Sequence, residues 1–286
     1  MTTIRRITVV GAGTMGRGIA QLAATAGYDV TLHDVEAHLL RAGVDAIRAG
    51  LDKSVEKGTL SADGRSESIA RVRTTLELSD AVAGADLVIE SVPERLELKQ
   101  ELFRRFEPFA PAAAILATNT SSLPVSLVAA VTAHPERVLG MHFFNPVHAM
   151  ALLEVVRGEH TSEETLAAAL EVGAKLGKET IVVRDSPGFA SSRLGLALGL
   201  EAMRMFEQGV ASAADIDRAM TLGYRHPVGP LRLTDLVGLD VRLAVAEHLH
   251  RTLGSEVFLP PDVLRRLVAE GKLGRKSGQG FYRWDD

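Results

Sequence analysis

Positions 141–156 read MHFFNPVHAMALLEVV, and two side chains in this stretch can do acid–base work. His142 carries an imidazole, the group whose ordinary pKa lies near neutrality. Glu154 follows 12 residues later, inside the apolar run Ala151-Leu152-Leu153-Glu154-Val155-Val156. Such a run reads as a largely buried strand. A carboxylate there is costly unless it is paired, and a nearby imidazolium is the obvious partner. An imidazole held by a buried carboxylate is a general base. It takes a hydroxyl proton while the carboxylate orients the ring and stabilises its charged form. A purely structural reading also fits, with His142 a satisfied core histidine and Glu154 a solvent-facing residue of an edge strand.

The second constellation is Gly11-Ala12-Gly13-Thr14-Met15-Gly16. It follows the apolar strand Ile4–Val10 and opens a helix over Arg17–Ala26. The next strand, Tyr28–His33, ends at Asp34, 18 residues past Gly16. Strand, glycine turn, helix and strand make a βαβ unit. In that context the glycines hold a dinucleotide. Gly11 permits the tight turn, Gly13 lets the backbone approach the pyrophosphate, and Gly16 lets helix and strand pack closely. The helix N-terminus faces the anion. Asp34 accepts hydrogen bonds from the adenosine ribose and its charge repels a 2′-phosphate, which favours NAD over NADP. Arg41, further along the next helix, offsets part of that charge, and an N-capping role for Asp34 is compatible with cofactor binding. A base for a hydroxyl proton together with NAD for a hydride is the equipment of an alcohol dehydrogenase.

The elements that must position these groups alternate. A helical arm covers Glu36–Lys57, a polar connector with Gly64 runs through Thr59–Ser66, and Glu67–Arg71 extends a second arm. Strands follow at Val72–Leu76, Leu87–Glu90, Ile115–Thr118, Arg137–Met141, Leu152–Val156 and Thr180–Val183, with helices at 77–84, 95–109 and 124–133. This is a doubly wound, mostly parallel α/β sheet. ATNTSSL (117–123) and HFFNP (142–146) both follow strands, so their polar groups collect at the carboxyl edge, where open α/β sheets bind ligands. After the breaker Asp185-Ser186-Pro187-Gly188 only helices are expected, at Ser191–Glu207, Ala213–Leu222, Leu239–Leu253 and Pro261–Glu270, punctuated by HPVGP and LPP. Two domains result: 1–184, a dinucleotide-binding Rossmann-type domain with the arm at about 36–71, and 185–286, a smaller all-α domain.

Composition bounds the function. The chain has 286 residues, 46% of them hydrophobic, and a net charge of −4. Its acids and bases are interspersed, so no electrostatic footprint for nucleic acid or an anionic membrane exists. No segment reaches the roughly 18 apolar residues of a membrane span, and the N-terminal glycines interrupt any signal-like run. With 0 cysteines, thiolate chemistry, disulfides and cysteine-bound metals are excluded, and no metal is expected. A cytoplasmic location is consistent with this.

With these residues in hand, the whole chain resembles the L-3-hydroxyacyl-CoA dehydrogenases of the stand-alone 3-hydroxybutyryl-CoA type. The resemblance is carried by GAGTMGRGIAQLAA, ATNTSSL, HFFNPVHAMALLEVV, DSPGFASSRL, MTLGYRHPVGPLRLTDLVGLD and GRKSGQGFY. It implies reversible oxidation of an L-3-hydroxyacyl-CoA, short-chain by type, to the 3-ketoacyl-CoA with NAD as cofactor. His142 is then the base and Glu154 its ion-pair partner. Ser121 bonds the substrate oxygen near the nicotinamide, and Asn145, with Asn119 in the preceding polar loop, holds the nicotinamide side. Glu94, Lys99 and Lys276 match positions that contact NAD, and Lys57 matches one that meets CoA, although a solvated surface charge explains such lysines as well. The family pattern SPGFxxNR becomes SPGFASSR here, so Ser192 stands where an asparagine helps bind the substrate. Serine is shorter and offers a hydroxyl instead of an amide, which puts that contact in doubt. The resemblance further implies a homodimer formed through the helical domain, with Leu194–Met205 as the apolar feature that serves either the dimer or interdomain packing. Sugar-acid dehydrogenases of the same fold tend to read HPxNPP where this chain reads HFFNP. 3-Hydroxyisobutyrate dehydrogenases carry a lysine on the interdomain helix that Phe189–Leu196 lacks. A non-catalytic NAD-binding protein remains the alternative from another class.

Overall fold

The computed structural model describes residues 4–284; positions 1–3 and 285–286, the ends of the two expected domains, lie outside the described residues. The chain divides into two compact units, residues 1–186 and 187–286. In the first, the elements run β1 (Arg6–Val10), α1 (Thr14–Thr25), β2 (Asp29–His33), α2 (Ala37–Glu56), α3 (Ala62–Ala70), β3 (Val72–Thr75), α4 (Leu78–Val82), β4 (Leu87–Glu90) and α5 (Leu96–Phe106). They continue with β5 (Ile115–Thr118), α6 (Val125–Ala129), β6 (Val138–Phe143), β7 (Leu152–Arg157), α7 (Glu163–Lys175) and β8 (Glu179–Arg184).

The eight strands form one sheet in the order β3-β2-β1-β4-β5-β6-β7-β8. Every neighbouring pair is parallel except β6–β7, which is antiparallel. Strands β4, β5 and β6 are buried along their whole length, because helices cover both faces of a parallel sheet. One face packs Ile19, Ala20, Ala23 and Ile47 against Val9 and Leu32; the other packs Phe103, Phe106 and Val82 against Val10 and Val88. The strand order reverses between β1 and β4, and that switch point opens a crevice at the carboxyl ends. This is the Rossmann-type doubly wound sheet that the sequence implies, followed by an all-helical unit.

Three local differences have physical causes. The arm's connector is shorter than expected: α3 already starts at Ala62, capped by Ser61, whose Oγ accepts the Gly64 N–H at 3.0 Å. Strand β6 runs past Met141 to Phe143, so His142 lies within the strand and not beyond it. Pairing with β7 carries it on, since His142 faces Glu154 and Phe143 faces Leu153 in register. Helix α7 has no counterpart among the expected elements. Its signals are the Ser162 cap and buried Leu166, Ala169 and Val172 at helical spacing.

The second unit contains α8 (Ser191–Glu207), α9 (Ala213–Gly223), α10 (Pro230–Val237), α11 (Leu239–Leu253) and α12 (Asp262–Ala269). Leu196, Leu200, Met203, Leu239 and Leu249 form its core. Helix α10 begins inside the expected breaker HPVGP, because a proline at the first helical position starts a helix without losing a bond. The C-terminal GQGFY segment is clasped by Asp235, which accepts the Phe281 and Tyr282 N–H groups and the Trp284 indole N–H, each at 2.9 Å. A Cβ on Gly280 would stand 2.2 Å from that carboxylate, so glycine is required there.

Candidate active site

A cavity of about 820 Å³ opens at the carboxyl ends of β1, β2, β4, β5 and β6, within the size range of ligand pockets. The glycine loop and Asp34 line one end; Asn119, Ser121, His142 and Asn145 line the other, with Glu94 on the wall between.

The loop fits a dinucleotide on its own geometry. Gly11 has φ +105°, and a Cβ there would stand 2.5 Å from the Ser91 carbonyl oxygen. A Cβ on Gly16 would overlap the Gly11 carbonyl oxygen at 1.8 Å. A Cβ on Gly13 would meet no atom within 4 Å, so the space beside Gly13 is left for something other than protein. Thr14 and Met15 line the same end of the cavity. Asp34 accepts the Ala12 N–H at 2.8 Å, which ties the loop to the end of β2. Glu36 takes the N-cap position of α2 without a side-chain bond, and Asp34 also accepts the Glu36 N–H at 3.3 Å, so it serves the start of α2 as well as the glycine loop.

At the far end His142 Nδ1 lies 2.6 Å from Glu154 Oε2. The Glu154 side chain is 0% exposed and that of His142 9%. The antiparallel β6–β7 register sets the pair directly opposite each other, and the Phe144 ring stands 4.3 Å from the imidazole, centroid to centroid. The edge-strand, solvent-facing reading of Glu154 is excluded. A carboxylate can only accept, so Nδ1 carries the hydrogen, and Nε2 is the basic nitrogen of the neutral ring.

The floor between the two ends is a polar network that sequence reasoning saw only in part. Asn119 donates to Ser91 Oγ at 3.2 Å and accepts the Phe143 N–H at 3.0 Å, locking β5 to the HFFNP strand. Glu94 accepts from the Thr120 hydroxyl at 2.5 Å, the Ser121 N–H at 2.9 Å and the Ser121 hydroxyl at 3.2 Å. Lys99 has no exposed surface and lies beneath the floor. Its ammonium is 2.7 Å from Glu90 and 3.4 Å from Glu94, so any influence on a bound cofactor runs through Glu94. Glu90 was not among the expected site residues. It ends the apolar strand LVIE and also accepts from the Thr118 hydroxyl at 2.7 Å and the Val92 N–H at 2.6 Å. A lone carboxylate in an apolar strand, the signal used for Glu154, was equally present there. Burial pushes the Glu90 carboxyl up, against the pull of Lys99. Burial also works upward on Glu94, but the Lys99 charge and the bonds from Thr120 and Ser121 hold it below the ordinary carboxylate range.

The remaining expected residues lie outside the cavity lining. Lys57 is exposed at the C-terminal end of α2. Ser192 is half-buried in the first turn of α8, and Lys276 pairs with Asp240 at 2.6 Å; both belong to the second unit. Among the described residues no cluster of three or more metal-ligating side chains occurs.

The profile of the 3-hydroxyacyl-CoA dehydrogenase NAD binding domain matches residues 6–186, and that of the 3-hydroxyacyl-CoA dehydrogenase C-terminal domain matches 188–284. The chain belongs to the 3-hydroxyacyl-CoA dehydrogenase family. A probable 3-hydroxybutyryl-CoA dehydrogenase of Bacillus subtilis is 44% identical over 99% of this chain and 98% of its own. A 3-hydroxybutyryl-CoA dehydrogenase of Bradyrhizobium diazoefficiens is 40% identical over 98% of this chain and 95% of its own. The crystal structure of (S)-3-hydroxybutyryl-CoA dehydrogenase from Ralstonia eutropha superposes with a TM-score of 0.96, at 39% identity over 99% of this chain and 100% of that one. The family is NAD-dependent, acts on acyl-CoA thioesters, and carries its cofactor in the domain that holds the cavity described above.

Proposed function

We propose that this chain oxidises short-chain L-3-hydroxyacyl-CoA, 3-hydroxybutyryl-CoA above all, and runs the reverse reduction as well. The observation that carries the reading is the His142–Glu154 pair, 2.6 Å apart and buried at the end of a cavity whose other end is the glycine loop. The glycine loop and Asp34 would hold NAD, which would supply the acceptor for the hydride from C3. His142 Nε2 takes the proton of the 3-hydroxyl, and Glu154 stabilises the imidazolium that forms. Ser121 hydrogen-bonds the same substrate oxygen, held in place by Glu94 through its N–H. Asn145 and Asn119 hold the nicotinamide side, and Asp34 the adenosine ribose. Lys57 meets the CoA moiety, Lys276 contacts the cofactor, and Ser192 offers the substrate a shorter hydrogen-bonding group than an asparagine would.

The enzyme works as a homodimer in the cytoplasm on this reading. Leu194 at 71% exposure and Leu222 at 79% supply apolar surface on the helical unit, and among the described residues no helix is long and apolar enough to cross a membrane. The test is NADH oxidation at 340 nm with acetoacetyl-CoA, with NADPH in parallel, on wild type and His142→Ala. NADH-specific turnover that disappears in the variant is the expected result. Wild-type inactivity across a panel of ketoacyl-CoA chain lengths overturns the substrate, and activity retained by His142→Ala overturns the base.

A further inference from the structure

Besides the residues named above, the cavity is lined by Val35 and Leu39 after β2 and by Leu98, Glu101, Leu102 and Arg105 of α5. Asp34 marks the ribose, so the lining around it is the place for the base attached to it, and the apolar side chains there suit a purine. One buried polar side chain adjoins Asp34. His33, the last residue of β2, is 2% exposed and borders the cavity. Its Nδ1 lies 3.1 Å from the carbonyl oxygen of Thr75 on the neighbouring strand. A carbonyl oxygen can only accept, so Nδ1 holds the hydrogen and Nε2 of the neutral ring presents a lone pair. Among the described residues no hydrogen-bond partner sits on that Nε2, and it is not one of the side-chain atoms sealed from solvent without a partner.

We propose that His33 is a specificity residue for the cofactor base: its Nε2 accepts a hydrogen bond from the 6-amino group of adenine and rejects purines with a 6-oxo group. The inference rests on NAD occupying this cavity. A 6-amino group is a donor and complements the lone pair. A 6-oxo group is an acceptor, and it would face the lone pair with nothing between them. Burial keeps the ring in the neutral form this requires, with Asp34 and Glu77 favouring the charged form and Arg105 opposing it. Glu101, another acceptor in the lining, is exposed, so water competes for its bonds and it discriminates poorly.

The measurement is direct binding of two probes without substrate: NADH, and reduced nicotinamide hypoxanthine dinucleotide, which differs from it by a 6-oxo group in place of the 6-amino group. Wild type should bind NADH about tenfold more tightly, the worth of one buried hydrogen bond. His33→Val should lose most of that preference by weakening NADH alone. His33→Gln should keep NADH affinity within about threefold yet bind both probes alike, because an amide turns to offer either a donor or an acceptor. The glutamine variant separates base recognition from a merely structural role, and the wild-type ratio needs no variant to fold. Equal wild-type affinities, or an unchanged ratio in His33→Val, overturn the proposal while leaving the dehydrogenase reading intact. Failure of wild type to bind NADH at all overturns both.

Discussion

Replacing Glu154 by glutamine removes a charge from the core while keeping shape and hydrogen-bonding capacity. The side chain is wholly buried and faces His142 across the β6–β7 register, so the amide occupies the same space and the fold is retained. Two things are lost. A neutral amide does not stabilise an imidazolium, and its NH2 can turn toward Nδ1, which moves the ring proton to Nε2 and blocks the base. In the Ser-His-Asp triad the corresponding change costs about 10⁴ in kcat, or about 5.5 kcal/mol at 1.36 kcal/mol per decade. Here the ring keeps part of its orientation, because His142 stays fixed in a paired strand with Phe144 against it. The expected loss in kcat is therefore on the order of 10³–10⁴. Turnover with acetoacetyl-CoA and NADH binding by fluorescence are measured on the same preparation. Near-normal turnover refutes the role of Glu154. A parallel loss of NADH affinity refutes it too, since it would show that the change acts through the fold and not through the imidazolium.

The glycine loop separates ligand from packing. Gly13→Ala meets no protein atom within 4 Å and should melt like wild type while binding NADH at least tenfold more weakly, whereas Gly16→Ala drives a Cβ into the Gly11 carbonyl oxygen and should lower the melting temperature of the ligand-free protein. Lys99→Met leaves Glu90 buried without its cation and should destabilise the protein by about 3–5 kcal/mol in urea unfolding, with Glu90→Gln in the same chain recovering much of it. Acid should weaken the site floor in a defined direction. Glu94 has a folded pKa below its ordinary 4.5, so the stability it adds is fully present above that value and is lost as pH falls through the lowered one. Glu94→Gln should flatten that part of the stability–pH curve.

How far the sequence reached can be seen residue by residue. The glycine loop and Asp34 were legible because backbone demands are local: a turn with φ above zero and a helix start leave a fixed spacing. Glu154 was legible because a carboxylate in an apolar strand demands a partner. The strand boundary at His142 was not, since β6 is prolonged by pairing with β7, a contact between segments that periodicity within either one does not encode. Helix α10 was hidden for a related reason. Glycine and proline both break and begin helices, and only the packing of Leu231 and Thr234 decides which. Lys99 reads as a surface lysine in an amphipathic helix, and its burial follows from Glu90, which lies on a different element.

Two carboxylates thus stand in the interior of this sheet, each at 0% exposure and each paired at hydrogen-bond distance, yet they serve different ends. Glu90 faces the Lys99 ammonium, which only donates, and is further tied down by Thr118 and Val92, so its bonds are all spent within the protein. Glu154 faces an imidazole whose Nδ1–H it accepts, leaving the other ring nitrogen, Nε2, as a base. A carboxylate paired with a group that only donates can only position; one paired with an imidazole leaves a ring nitrogen outside that bond to take a proton from substrate and return it. The partner's chemistry, more than the burial or the distance, is what makes the β6–β7 pair the candidate for catalysis and the β4 pair its support.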